Sequence, residues 1–157
     1  MKVTFLGLGV MGFPMAGHLM RNGHAVTVYN RSTTKAVKWV ETHGGTSAAT
    51  PALAAKGAEI VFACVGNDDD LRSIVYGEEG AFAGMSLGSL FVDHTTASAE
   101  VARELNAAAR DAGFGFLDAP VSGGRGAVTG VAGRPAPVTP GFAAGVSPAT
   151  LAIAESA

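Results

Sequence analysis

A glycine-rich segment near the start of the chain, Gly7-Leu8-Gly9-Val10-Met11-Gly12, most constrains how the chain can fold. Residues 3–6, which precede it, have the composition of a buried strand. Residues 10–21 have a helical pattern that ends at Asn22-Gly23, a pair typical of helix termination. A glycine-rich turn between a strand and a helix predicts the beginning of a βαβ unit.

The three glycines follow the G-x-G-x-x-G spacing, in which each glycine has its own physical task. Gly7 permits a tight turn, Gly9 lets the backbone approach a diphosphate, and Gly12 lets the helix pack closely on the strand. Free N–H groups and the macrodipole at the helix N-terminus favour an anion. The segment therefore predicts a dinucleotide site, against the alternative of a glycine-rich turn that serves packing alone.

Further along the chain, short β-rich runs alternate with segments of helical period. The predicted strands cover residues 25–29, 59–65, 90–93 and 114–117, and the predicted helices cover 34–42, 68–75 and 98–112, with a short helix opening at Thr50-Pro51. Ser32 or Thr33 would cap the helix at 34–42. This alternation predicts an α/β fold, a Rossmann-type doubly wound parallel sheet.

The residues after the second predicted strand, Tyr29-Asn30-Arg31-Ser32-Thr33, indicate which dinucleotide would bind. NAD-selective sites place an acidic residue there for the ribose 2′-hydroxyl. This chain has a cation with neighbouring hydroxyls instead, a combination that suits a 2′-phosphate. We therefore predict NADP as the preferred cofactor, with NAD as the alternative if Arg31 is only a solvated loop residue.

Two segments resemble the signatures of a known family, the β-hydroxyacid dehydrogenases. Residues 5–16, Phe5-Leu6-Gly7-Leu8-Gly9-Val10-Met11-Gly12-Phe13-Pro14-Met15-Ala16, resemble the family's N-terminal signature. Residues 118–124, Asp118-Ala119-Pro120-Val121-Ser122-Gly123-Gly124, resemble its substrate-binding motif. The resemblance covers residues 1–124 and implies NAD(P)-dependent hydride transfer between a nicotinamide and a small β-hydroxyacid or its semialdehyde, as in 3-hydroxyisobutyrate dehydrogenase.

The same resemblance implies roles for individual residues. The residues implied for the diphosphate are Gly7, Leu8, Gly9, Val10, Met11 and Gly12; for the adenosine ribose Asn30, Arg31 and Ser32; for the cofactor backbone path Val65, Gly66 and Asn67; for the nicotinamide Thr96; and for the substrate carboxylate Ser122, Gly123 and Gly124. These positions follow predicted parallel strands, whose carboxyl ends are where ligands bind in such sheets.

Other reactive residue types receive structural interpretations. Cys64 lies in a predicted buried strand and is read as a small hydrophobe rather than a nucleophile. Asp68-Asp69-Asp70 is read as the complement of a helix dipole, since consecutive helical residues point in different directions. His94 is either a wall of the nicotinamide pocket or a structural or solvent-facing residue. No metal site is predicted, because the other histidines have no partners at ligand spacing.

The chain departs from the family after residue 124. Family members are about twice as long, and a helical domain carries their catalytic lysine and mediates their oligomerisation. Residues 125–157 hold nine Gly or Pro among 33 residues, and no lysine follows Lys56. We therefore expect a Rossmann domain at 1–124 and an irregular tail at 125–157, from a frameshifted or truncated reading frame, with no catalytic residue in this chain.

Three functional interpretations stay open on this basis. The first is a β-hydroxyacid dehydrogenase, inactive in this form; the second is an imine reductase, which shares a similar N-terminal signature, although residues 118–124 favour the hydroxyacid branch. The third is an NADP-binding module or fragment without turnover. The oligomeric state is likewise open, with a monomer expected if the dimerising domain is missing.

Composition narrows the partners and the compartment. A net charge of −2 without any Lys/Arg cluster excludes a nucleic-acid footprint. No apolar run approaches the ~20 residues that span a bilayer. Cys64 is the single cysteine, so no internal disulfide can form, which suits a reducing cytoplasm. The predicted partner is a small hydroxyacid or semialdehyde substrate.

Overall fold

The computed structural model describes residues 1–121, which alternate between strands and helices as the sequence predicts. The strands are β1 (Lys2–Leu6), β2 (Ala25–Tyr29), β3 (Thr46–Ser47), β4 (Ile60–Ala63), β5 (Leu90–Asp93) and β6 (Gly115–Asp118). The helices are α1 (Gly12–Arg21), α2 (Thr33–His43), α3 (Pro51–Ala55), α4 (Asp68–Val75), α5 (Ala81–Gly84) and α6 (Ala99–Ala112). The predicted tail at 125–157 and the predicted substrate residues 122–124 lie outside the described residues.

The six strands form one sheet in the order β3-β2-β1-β4-β5-β6, and every neighbouring pair is parallel. This order confirms the predicted doubly wound Rossmann sheet. The chain winds outward from β1 in one direction and from β4 in the other, so the topological switch point lies between these two strands. Ligands of such sheets bind outside the carboxyl ends of the strands at that point.

Helices cover both faces of the sheet, so successive residues along a strand are buried on opposite sides. Phe5 and Phe62 stack with their ring centroids 6.0 Å apart on the face that α1 and α2 cover, where Trp39 is fully buried. Leu6 belongs to the opposite face, together with Leu105 of α6. Burial on both faces explains why the strands read as continuous apolar runs rather than as alternating ones.

Side-chain caps fix where several helices begin. The Thr50 hydroxyl accepts the Leu53 amide at 3.2 Å before α3, and the Ser98 hydroxyl accepts the Val101 amide at 3.2 Å before α6. Each bond satisfies one of the amide donors that a helix leaves unpaired at its start. Both starts agree with the sequence prediction to within one residue.

The structure corrects a few predicted boundaries. Helix α1 begins at Gly12 rather than at residue 10, because residues 10 and 11 still belong to the turn that leaves β1. Strand β4 is shorter than the predicted 59–65, and β6 begins one residue later than predicted. Elements β3 and α5 were not predicted, since two and four residues are too few to show a period. Among the described residues, every helix is too short or too polar to cross a membrane.

The packing of α1 on β1 predicts a stability difference between two glycine variants. A Cβ added at Gly12 would overlap the Gly7 carbonyl oxygen, whereas a Cβ at Gly9 would meet nothing within 4 Å. We expect Gly12→Ala to lower the free energy of unfolding by about 1–3 kcal/mol or more, the usual cost of overpacking. Gly9→Ala, the matched control, should stay within about 1 kcal/mol of wild type. Urea denaturation followed by circular dichroism measures both, and equal losses in the two variants would contradict the packing argument.

Candidate functional site

A cleft of about 430 Å³ opens at the switch point, beside the carboxyl ends of β1, β2 and β4. Four segments line it: the glycine turn after β1, the loop after β2 with the first turn of α2, the loop after β4, and one side of α4. The lining residues are Gly7, Gly9, Val10, Met11, Gly12, Tyr29, Asn30, Arg31, Ser32, Lys35, Cys64, Val65, Gly66, Asp70, Ser73 and Ile74. The structure thus brings together ten of the thirteen residues predicted for the cofactor.

The glycine turn is packed too closely for side chains at two of its positions. Gly7 has φ of 96°, a conformation that favours glycine, and a Cβ there would overlap the carbonyl oxygen of Cys64. Gly12 lies equally close to Gly7, as described above. These contacts bring the N-terminus of α1 to the floor of the cleft, between β1 and β4.

The start of α1 is suited to an anion. Its first turn holds no acidic residue, and its N-cap residue, Met11, makes no side-chain capping bond. Pro14 has no N–H group and the Phe13 amide donates to the Gly9 carbonyl at 3.1 Å, so the donors left for an anion are the backbone amides that lead into the helix, up to Gly12. The macrodipole adds partial positive charge at the same point. Val10 is 62% exposed and lines the cleft beside this turn.

Asn30 connects the glycine turn to the end of β2. Its Oδ1 accepts the Leu8 amide at 2.8 Å, and its Nδ2 donates to the Ser32 carbonyl at 3.1 Å. The Leu8 side chain points into the core instead of the cleft and is only 2% exposed. The two loops that line one end of the cleft are thus held together by one amide side chain.

Two cations and one carboxylate border the same end of the cleft. Arg31 is 87% exposed and forms an ion pair with Asp70, its Nη1 lying 3.2 Å from Oδ1. Lys35 stands in the first turn of α2 and is exposed. The sequence analysis did not include Lys35 among the cofactor residues. Its spacing could have indicated it, because residues three positions apart on a helix lie on the same face, and Lys35 is three positions after Ser32.

The start of α4 distributes its three aspartates among different partners. Asp68 accepts the amide and the hydroxyl of Ser98, which ties α4 to the start of α6. Asp69 is 97% exposed and lies 3.6 Å from the Arg72 guanidinium. Asp70 faces the cleft. The predicted cofactor residue Asn67 caps α4 by accepting the Asp70 amide at 2.9 Å, and it does not line the cleft.

A short hydrogen-bonded chain connects the loop after β4 to the end of β5. The Val65 amide donates to the Thr95 hydroxyl at 3.1 Å, and the Thr95 amide donates to Oδ1 of Asp93 at 2.8 Å. Asp93 is fully buried, and its Oδ2 has no hydrogen-bond partner within residues 1–121. Burial, with smaller contributions from the charges of Asp118 and Asp68, raises the pKa of Asp93 to about 6, against the opposing hydrogen bonds from Thr95.

His94 is buried, which excludes a solvent-facing role. Its ring is stacked on Phe62 at a centroid distance of 5.9 Å, and Nδ1 lies 2.8 Å from the Ala119 carbonyl oxygen. Since a carbonyl only accepts, Nδ1 carries the proton and Nε2 keeps its lone pair, without a partner in the described part of the chain. Burial lowers the pKa of His94, so the ring is neutral at pH 7. Thr96, two residues later, is exposed outside the cleft.

Cys64 forms part of the cleft wall at the end of β4. Burial, with a smaller contribution from the Asp93 charge, raises the pKa of its thiol to about 11. The thiol is therefore protonated at pH 7, which agrees with its interpretation as a small hydrophobe rather than a nucleophile. Among residues 1–121, no group of three or more His, Cys, Asp or Glu side chains could hold a metal ion.

The buried Asp93 carboxyl predicts a specific pH dependence of stability. An unfolded aspartate has a pKa of about 3.9, so the folded chain binds the Asp93 proton more tightly between pH 4 and pH 6. The contribution of Asp93 to the free energy of unfolding is therefore highest below pH 4 and decreases as pH rises towards 6. Relative to Asp93→Asn, wild type should lose on the order of 2 kcal/mol between pH 4 and pH 7.

Chemical denaturation across this pH range measures the free energy of unfolding of both proteins. Since His94 is present in both, its opposite contribution cancels in the difference between them. The comparison variant is Asp118→Asn, at the residue paired in register with Asp93 on β6. Asp118 is exposed, and partial desolvation raises the pKa of its carboxyl. The substitution should therefore change the pH dependence of stability less than Asp93→Asn does. Parallel pH curves for wild type and Asp93→Asn would refute the assignment.

Comparison with known proteins identifies the family. A family model described as the NAD binding domain of 6-phosphogluconate dehydrogenase matches residues 2–133. An uncharacterized oxidoreductase from Shewanella frigidimarina (strain NCIMB 400) is 63% identical over 124 residues, which cover 79% of this chain and 43% of that protein. This chain therefore spans less than half the length of that curated relative.

Two solved structures extend the similarity to the fold. The 3-hydroxyisobutyrate dehydrogenase of Mycobacterium tuberculosis, solved with L-serine, is 32% identical with a TM-score of 0.77, and the match covers 99% of this chain and 50% of that one. An imine reductase from Myxococcus stipitatus, solved with NADP+, is 26% identical with a TM-score of 0.72, and the match covers 80% of this chain and 42% of that one. The resemblance to hydroxyacid dehydrogenases is confirmed, and the chain belongs to the family of 6-phosphogluconate dehydrogenase NAD-binding domains.

Proposed function

We propose that this chain binds NADPH in the switch-point cleft and forms the cofactor half of an oxidoreductase. That oxidoreductase would transfer a hydride between the nicotinamide and a small β-hydroxyacid or its semialdehyde. The observation that carries the proposal is the grouping of Arg31, Lys35 and Ser32 at the β2 end of the cleft. The nicotinamide dinucleotide supplies the hydride donor or acceptor, and the residues of this chain bind and orient it.

The preference for NADPH rests on the charges at the end of β2. No acidic residue follows Tyr29 in the loop, so the position that would bind a ribose 2′-hydroxyl carries neutral and cationic groups instead. Arg31 can bind a phosphate through two parallel N–H donors, and Lys35 adds a second positive charge. Ser32 makes no side-chain capping bond to α2, so its hydroxyl is available to the same phosphate.

The diphosphate would lie over the start of α1. The glycine turn that leads into that helix supplies backbone amide donors, and the acid-free first turn keeps a favourable dipole. The open space above Gly9, where a Cβ would meet nothing within 4 Å, admits a ligand close to the backbone. The path would continue past Val65 and Gly66 towards Thr96, the residue proposed for the nicotinamide.

The substrate class is proposed from the family and from residues 118–124. The motif that resembles the hydroxyacid branch includes Ser122, Gly123 and Gly124, which lie outside the described residues. The 32% identity to the 3-hydroxyisobutyrate dehydrogenase of Mycobacterium tuberculosis supports the same branch. A cytoplasmic location is part of the same proposal, supported by the single cysteine.

The cofactor preference is tested by reversing the charge of Arg31. Wild type should bind NADPH more tightly than NADH, and Arg31→Asp should reduce that ratio by roughly tenfold or more, the effect of losing a charge-assisted hydrogen bond. The matched control is Lys38→Asp, the same charge reversal on α2 at an exposed residue outside the cleft. Fluorescence titration of the three proteins with NADPH and NADH measures the six dissociation constants. Equal affinities of wild type for the two cofactors would rule out the preference.

A second test concerns turnover by this chain of 157 residues. Reduction of a carbonyl places negative charge on oxygen, and a positioned proton donor contributes roughly 10²–10⁴-fold to the rate. The last lysine in the sequence is Lys56, and His94 is buried beside Phe62. We expect NADPH binding without measurable NADPH oxidation in the presence of succinic semialdehyde, glyoxylate or tartronate semialdehyde. Turnover within tenfold of a full-length homologue would overturn this expectation.

A further inference from the structure

The ion pair between Arg31 and Asp70 spans the cleft from the loop after β2 to the first turn of α4. Both residues line the cleft, and within residues 1–121 theirs is the only ion pair that joins these two walls. Among the described residues that line this cleft, Asp70 is also the only acidic one, and it contacts Arg31, one of the two cations assigned to the 2′-phosphate. A ligand phosphate and Asp70 would therefore compete for the same guanidinium.

Asp70 is the fixed member of the pair and Arg31 the movable one. The Asp70 Oδ2 accepts a hydrogen bond from Asn67 Nδ2 at 3.2 Å, and its backbone amide donates to Asn67 Oδ1 at 2.9 Å. Its side chain is 30% exposed, against 87% for Arg31. Within residues 1–121, Asp70 is the only hydrogen-bond partner of the Arg31 guanidinium, and the exposed side chain is free to turn towards another anion.

We propose that Asp70 is a specificity-determining residue that limits the discrimination between NADPH and NADH. It holds Arg31 before the cofactor binds, and its negative charge opposes a 2′-phosphate at the same end of the cleft. The inference rests on the proposed function, since it assumes that the 2′-phosphate binds beside Arg31. NADH lacks that phosphate, so its affinity depends much less on the state of the ion pair.

The test compares Asp70→Asn with Asp69→Asn in the full 157-residue chain. Both variants remove one negative charge from the first turn of α4, but Asp69 is 97% exposed and does not line the cleft. In the capping bond, the backbone amide of residue 70 donates to Asn67 Oδ1, so this bond survives the substitution. Asp70→Ser provides a second variant if Asp70→Asn does not fold, as judged by circular dichroism.

We expect Asp70→Asn to tighten NADPH binding roughly two- to fivefold, the range of an exposed ion pair, with NADH binding within twofold of wild type. Asp69→Asn should change neither constant by as much as twofold. The gain should disappear at 1 M salt, where the Debye length falls to about 3 Å. In an Arg31→Gln background, Asp70→Asn should have a smaller effect than in wild type, because its partner is gone.

Two readings of the titration separate this inference from the proposed function. The NADPH-to-NADH ratio of wild type tests the proposed function alone. The difference between Asp70→Asn and Asp69→Asn tests the role of Asp70, and it can be positive even if wild type shows no preference. An unchanged ratio in Asp70→Asn, or equal changes in the two variants, would overturn the role of Asp70.

Discussion

The close packing of Gly12 against the Gly7 carbonyl is the contact on which the cleft depends. It brings the first turn of α1 to the carboxyl end of β1, at the point where the sheet reverses its winding. A side chain at Gly12 would push the helix away from β1, and a side chain at Gly7 would overlap the carbonyl oxygen of Cys64. Because the helix start supplies the amide donors and the dipole, one backbone contact places the most favourable site for an anion.

The walls of the cleft are held by polar contacts of two strengths. Asn30 connects two loops through bonds to backbone groups, and the chain from Val65 through Thr95 to Asp93 connects the loop after β4 to a buried carboxyl. Apart from the exposed bond between Asn30 and Ser32, these hydrogen bonds are partly or fully buried, so breaking one leaves polar atoms unpaired. The Arg31–Asp70 pair is exposed and correspondingly weak. The cleft thus has walls joined by buried hydrogen bonds and one weak, exposed ion pair, which lies at the end proposed for the 2′-phosphate of NADP.

Much of the fold could be predicted from the sequence, because its strong signals are local. Residues 3–6 and 25–29 read as strands from their own side chains, and the Thr50-Pro51 pair marked the start of a helix. Elements too short for a period, β3 and α5, could not be found this way. In the cleft, Lys35 was not among the predicted residues because it stands on α2 beyond the loop, and only the structure shows that Asn67 caps α4.

The sequence by itself determined the parallel α/β class, the glycine turn and the absence of an acidic residue after β2, because each depends on residues close together along the chain. Only the tertiary structure decided which distant groups meet. Arg31 and Asp70 are 39 positions apart, and Val65 and Thr95 are 30 apart. Their contacts follow from the order of strands at the switch point, which brings separate loops to one edge of the sheet. Local side-chain patterns do not show which loops will meet, so the ion pair between Arg31 and Asp70 in the cleft could be seen only in the folded chain.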